Sequence, residues 1–144
     1  MFETILEITG TAIKLITTIT GAVTLTQSAV KSISKSIRKK RYRNMLELEY
    51  YGETYHVKTQ IGYYPNGNIA ISLFDPKEGP FATITKNITD LPAGQACIDT
   101  NNDPWAEDFI KKYNLGKPLG YSIPSGYCRY PVYELNLEEI KKHM

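Results

Sequence analysis

The chain has one Trp, two His and two Cys in 144 residues. Two cysteines, Cys97 and Cys128, cannot build a disulfide framework, and no close-spaced Cys/His pair offers a metal the converging ligands it needs. No Gly-rich loop follows a strand and opens a helix, so a phosphate-cradling nucleotide site is not indicated. The start lacks the basic, apolar, small-residue succession of a secretion signal. A reduced, cytoplasmic protein is the expectation, with no cofactor, no metal and no catalytic residue, hence not an enzyme. Apolar content of 42% and charge content of 22% are those of a globular protein and argue against global disorder.

Charge of one sign is scarce over a long stretch. Residues 1–45 hold eight Lys/Arg against Glu3 and Glu7, a balance of +6, while the remainder holds nine against thirteen, a balance of −4. The sequence therefore reads as two bodies, a basic segment 1–44 for oligomerisation or docking and a compact α+β domain 45–144. In the first, apolar residues recur every seven positions. Ile5, Ala12, Ile19, Thr26 and Ile33 form one row, Ile8, Leu15, Ala22 and Ala29 a second, and Ile16, Val23, Val30 and Ile37 a third. These rows predict one amphipathic helix over 5–37, roughly 45 Å long. Such a helix exceeds what a small domain can cover, so self-association or docking through Ile5, Ile8, Ala12, Leu15, Ile19, Val23, Val30 and Ile33 is expected. A helix laid across its own domain and a membrane anchor through residues 5–30 stay open as alternatives. Lys14 and seven Thr between Thr9 and Thr26 make that stretch a poor span.

The run "KSIRKKRYR" ends the segment with six cations in nine residues. Lys35, Arg38, Lys39, Lys40, Arg41 and Arg43 are candidates for binding an anion or partner, nucleic acid included. The alternative is a solvated helix end, where cations suit the dipole.

From Leu46 the period changes to two. "LELEYY", "TYHVKTQIGYY", "IAISLF" and "FATITKNI" read as successive strands, with "PNGN" and "DPKEGP" as turns. "QACID" and "YCRYPVYEL" close an antiparallel β-meander of five to six strands, and Pro131 argues for an edge or a bulge. A helix is predicted at about 104–114 and a brief one after Asn136. The stretch "CIDTNNDPWAEDF" places Asp99, Asn101 and Asp103 as a calcium loop would. Pro104 then stands where that loop needs Gly, and Ile110 where it needs Glu. A helix start fits better, with Asp103 as cap, Pro104 first, and Trp105, Phe109 and Tyr113 on one face. Eleven Tyr exceed the needs of a core and suit a protein interface. Tyr63, Tyr64, Asn101 and Asn102 are candidate partner contacts.

The segments "GNIAISLFD", "GPFATIT", "DTNNDPWAEDFI", "NLGKPLG" and "SGYCRYPVYEL" resemble a small domain-of-unknown-function family over about residues 67–135. Its members occur on phages, plasmids and conjugative elements of Gram-positive bacteria. The resemblance transfers no catalytic residue. It implies an accessory gene of a mobile element, of the sort that encodes small binders and inhibitors of host defence. The expected function is a non-enzymatic protein-binding protein, acting on a host macromolecular complex in the manner of an anti-CRISPR or anti-restriction inhibitor. A nucleic-acid-associated protein using 35–43 is the alternative, and a membrane-anchored module a further one.

Overall fold

A computed structural model describes residues 26–144 in full and, before them, only the backbone of Phe2–Ile8, Thr11–Thr17 and Val23–Thr24. The chain divides into two compact units, Met1–Arg43 and Asn44–Met144.

In the first unit, strands β1 (Phe2–Ile8), β2 (Thr11–Thr17) and β3 (Val23–Thr24) form an antiparallel sheet in that order. The register of β1 on β2 runs from Phe2↔Thr17 to Ile8↔Thr11. Helix α1 (Gln27–Arg41) follows. The single helix expected over 5–37 is thereby corrected. Ile5 and Ile8 lie on β1, Ala12 and Leu15 on β2, and Val23 on β3, while Ile19 lies outside the described residues. Of the eight residues expected to drive association, only Val30 and Ile33 are helical. Composition supplies the reason. Thr11, Ile13, Ile16 and Thr17 make four of the seven residues of β2 β-branched, and such side chains lose χ1 freedom in a helix but suit a pleated strand. The seam expected to drive self-association is therefore no continuous helical surface. α1 itself has sound local chemistry. Thr26 is extended (φ −68°, ψ 154°), and its Oγ1 accepts from the Ala29 N–H at 3.2 Å. At the other end Arg38, Lys39, Lys40 and Arg41 complement the dipole. No described helix is long and apolar enough to cross a membrane.

The second unit holds two four-stranded antiparallel sheets rather than one meander. Strands β4 (Leu46–Tyr50), β5 (Glu53–Tyr63), β6 (Ile69–Asp75) and β7 (Gly79–Thr83) form the first, in sequence order. Strands β8 (Thr85–Lys86), β9 (Gln95–Ile98), β10 (Gly116–Ser125) and β11 (Cys128–Leu135) form the second, ordered β10-β11-β9-β8. "FATITKNI" reads as one strand, yet its halves serve different sheets. Ile84 is the corner. Its N–H donates to the Ile71 carbonyl at 3.0 Å, and its own carbonyl accepts from the Asp99 N–H at 2.9 Å. The Thr85 hydroxyl also accepts from the Ile71 N–H at 3.1 Å.

The "PNGN" turn joins β5 to β6, with Gly67 at φ +87°. Gly116, Pro118 and Gly120 disfavour a strand over 116–125, yet β10 is one. It forms on the rim of the second sheet, where proline costs no ladder bond. Pro131 lies on the inner strand β11 and not at an edge, next to an irregularity of the ladder as the bulge alternative has it. There β9 pairs only from Val132 onward, and the β10 register shifts between Pro118 and Ser122, so the ladder is incomplete around the ring.

Helices α2 (Ala106–Lys112) and α3 (Leu137–Lys141) complete the unit. The main core joins Leu46, Leu48 and Val57 to Ile69, Ile71 and Leu73. Ala106, Phe109 and Ile110 of α2 and Ile140 of α3 enter the same cluster. Burial strictly alternates on β6, placing Ile69, Ile71 and Leu73 inward. A second, smaller cluster of Cys97, Tyr130 and Val132 lies in the other sheet. α3 is capped by Asn136, whose side chain accepts from the Glu139 N–H. The buried Thr59 pins this helix to β5, donating its hydroxyl to the Ile140 carbonyl at 2.7 Å and its N–H to the His143 carbonyl at 2.9 Å.

Candidate functional site: an aromatic shelf beside the 99–105 loop

The loop from Asp99 to Trp105 is organised by one buried carboxylate. Asp99 Oδ1 accepts from the Asn102 N–H at 3.2 Å and Oδ2 from Asn102 Nδ2 at 2.7 Å, with Lys86 Nζ 3.8 Å away. The Asp103 N–H donates to the Asp99 carbonyl, and the Asp103 carbonyl accepts from the Ala106 N–H, each at 2.9 Å. This is an Asx-type turn running into a helix. The expected capping role of Asp103 is corrected here, for α2 starts at Ala106 and its cap residue, Trp105, makes no side-chain cap bond. Burial first, and then the Asp99 charge, push the Asp103 carboxyl above its ordinary range. The two asparagines have structural partners. Asn102 locks onto Asp99, and Asn101 Oδ1 accepts from Cys128 Sγ at 3.2 Å.

Trp105, Phe109 and Tyr113 do share a face. Trp105 and Phe109 meet edge-on at 5.8 Å between centroids, and Phe109 and Tyr113 at 5.1 Å. The Tyr113 hydroxyl reaches the rim strand β4, donating to the Glu47 carbonyl at 2.6 Å and accepting from the Glu47 N–H at 3.0 Å. Tyr133, fully buried, donates its hydroxyl to Glu107 Oε1 at 2.5 Å, which ties α2 to β11. Burial and then the Glu107 carboxylate drive its phenol far up.

The aromatic row continues past Trp105 to the surface. Phe81 stands 6.0 Å from Trp105 and 5.7 Å from Tyr50, and Tyr50 stands 4.5 Å from Tyr51. All three are edge-to-face pairs, the geometry that ring quadrupoles favour. Tyr51 occupies the tip of the two-residue hairpin between β4 and β5, where Tyr50 pairs with Glu53. Its φ is +49° and that of Gly52 is +80°, the pattern of a type I′ turn. Asn or Gly is the usual occupant of such a position, because a bulky side chain there is strained. Tyr51 is nonetheless 90% exposed, and the ring contact it makes, edge-on to Tyr50, leaves most of it in solvent. In the sequence Tyr50 and Tyr51 are two of eleven tyrosines. What sets Tyr51 apart is its place before Gly52, where a hairpin turn demands positive φ.

The other candidates are dispersed. Tyr63 is 71% exposed, whereas Tyr64 is half-buried with its hydroxyl donated to the Thr85 carbonyl at 3.1 Å. Tyr63 borders a cleft of about 280 Å³ between the β5–β6 turn and residues 90–94. Asn68 knits that turn to the facing loop, giving Nδ2 to the Thr89 carbonyl and taking the Leu91 N–H on Oδ1. Lys35, Arg38, Lys39, Lys40 and Arg41 all lie on α1, exposed, and Arg43 follows its end. Among the described residues no group of three His, Cys, Asp or Glu is placed to hold a metal ion. Cys97 is buried, with its thiol pushed up by that burial, and Cys128 is half-buried.

A family model described as a domain of unknown function (DUF4313) matches residues 58–144, more than half of the chain, and the protein belongs to that family. No curated protein and no solved structure matches it.

Proposed function

We propose that this family member is a non-enzymatic protein-binding protein that docks by its aromatic shelf on a larger protein partner. The observation that carries the reading is Tyr51, a bulky side chain held in the left-handed region yet turned out to solvent. Backbone strain that burial does not repay is found where a residue is needed for its surface. Behind Tyr51 stand Tyr50, Phe81 and Trp105, so the displayed ring rests on a base continuous with the core. Aromatic anchors of this kind supply large contact area at small entropy cost. In its finer form the partner is a host macromolecular complex, and the protein is an accessory of a phage or mobile element that inhibits a defence nuclease. That form is supported by the resemblance of "GNIAISLFD", "DTNNDPWAEDFI" and "SGYCRYPVYEL" to proteins of such elements.

The test pairs capture from a host lysate with two substitutions at one position. Tyr51→Ala and Tyr51→Gly should both lose the partner that the unaltered chain enriches. Tyr51→Gly should at the same time stabilise the fold by about 1 kcal/mol, since glycine accepts positive φ freely. A partner retained equally by both variants would remove the shelf from the interface. A Tyr51→Gly protein that melts lower than the parent would show that the ring serves stability instead.

A further inference from the structure

We infer that α1 is a docking surface for the phosphate backbone of nucleic acid, contacted without regard to base sequence. At 100° per residue, Lys31, Lys35 and Arg38 fall in one row, with Gln27, Ser28, Ser34 and Lys39 beside them. All seven are exposed, and this face contains no apolar or acidic residue. Its composition of Lys, Arg, Ser and Gln is the set that commonly reaches phosphate oxygens. The opposite flank holds the half-buried Ala29, Ile33 and Ser36, joined near the helix end by the exposed Lys40. The cationic row therefore points outward.

Charge complementarity selects the occupant. No Asp or Glu occurs from Ile8 to Leu46, whereas Lys31 to Arg43 carries seven cations. From Lys31 to Lys39 the helix rises roughly 12 Å. A duplex presents one phosphate charge about every 1.7 Å of axis, so several lie within reach of the row. A lipid surface fits less well. A helix lying in a bilayer interface inserts Leu, Phe or Trp, and α1 has none of them. Its exposed apolar residues are Val30 and Ile37 alone, 45% and 50% accessible.

The experiment measures anisotropy of labelled DNA and RNA duplexes of arbitrary sequence with the full chain. Salt is varied from about 50 to 200 mM. Binding to either duplex is expected, and log K should fall against log salt with a slope of roughly −3 to −5. Lys31→Gln, Lys35→Gln and Lys39→Gln together should weaken binding at least about tenfold and flatten the slope by about 2.7. The three Lys→Arg changes should keep the affinity within about threefold, because a phosphate accepts either cation. Affinity unmoved by the Gln triple variant overturns the inference. So does retention on phosphatidylserine-containing vesicles with binding to neither duplex, which assigns the helix to lipid.

Discussion

α1 runs fifteen residues behind a threonine cap and buries none of them, whereas α2 runs seven residues with no side-chain cap and buries three. The longer helix satisfies the local rules of helix formation: a bonded N-cap, cations in its last turn, an amphipathic wheel. The shorter one would not persist alone in water, since isolated helices of that length do not repay nucleation. It exists because Phe109 and Ile110 enter the core, Tyr133 holds Glu107, and Tyr113 grips β4. Local propensity and tertiary demand are thus separable within one chain. The surface that propensity leaves open is charged, and the surface that packing leaves open is aromatic.

The largest expected effect cuts that contrast at its base. Phe109→Ala removes a nearly buried ring from the core and should cost about 3–5 kcal/mol in urea unfolding. Ile37→Ala on α1, half exposed, should cost under about 1 kcal/mol in the same assay. Comparable losses would mean that α1 is held by packing after all. Next comes Tyr113→Phe, which keeps the ring and deletes both bonds to Glu47. A loss of about 1 kcal/mol is expected, and no loss would show that water replaces the hydroxyl without cost. The smallest effect is Asp103→Asn. Burial and Asp99 raise the folded pKa of Asp103, so its ionised form opposes folding above that value. The substitution should stabilise slightly at pH 7, by less than about 0.5 kcal/mol, and the gain should fade as pH falls through the raised pKa. A gain that persists in acid would point to a cause other than charge.

Legibility from sequence followed the same division. The β5–β6 hairpin announced itself through Asn66-Gly67, α2 through Pro104 and its one-sided aromatics, and α3 through Asn136. Each signal is local. The corner at Ile84 could not be read, because Thr83, Ile84 and Thr85 suit a strand whichever sheet takes them. β10 was hidden by Gly116, Pro118 and Gly120, residues that a rim strand accommodates without losing a ladder bond. In the first unit the heptad rows favour a helix and the Thr and Ile content favours strands, and over Phe2–Ile8 and Thr11–Thr17 the strands form. At the site, Asp99 looked like one of several acids, and only the folded loop shows it organising Asn102 and Asp103. Trp105 was legible as an anchor, whereas its continuation through Phe81 to Tyr50 depends on strands far apart in sequence.

The hydroxyl of Tyr113 occupies both backbone groups of Glu47 that face away from β5. β4 is the rim of its sheet, and an open rim recruits further strands, including those of identical molecules. One phenol thus acts as a stopper against filament growth, set at the second residue of a five-residue strand whose shortness already limits what could pair with it. At high protein concentration, a chain without this hydroxyl has a route to assembly that thermal stability alone does not measure.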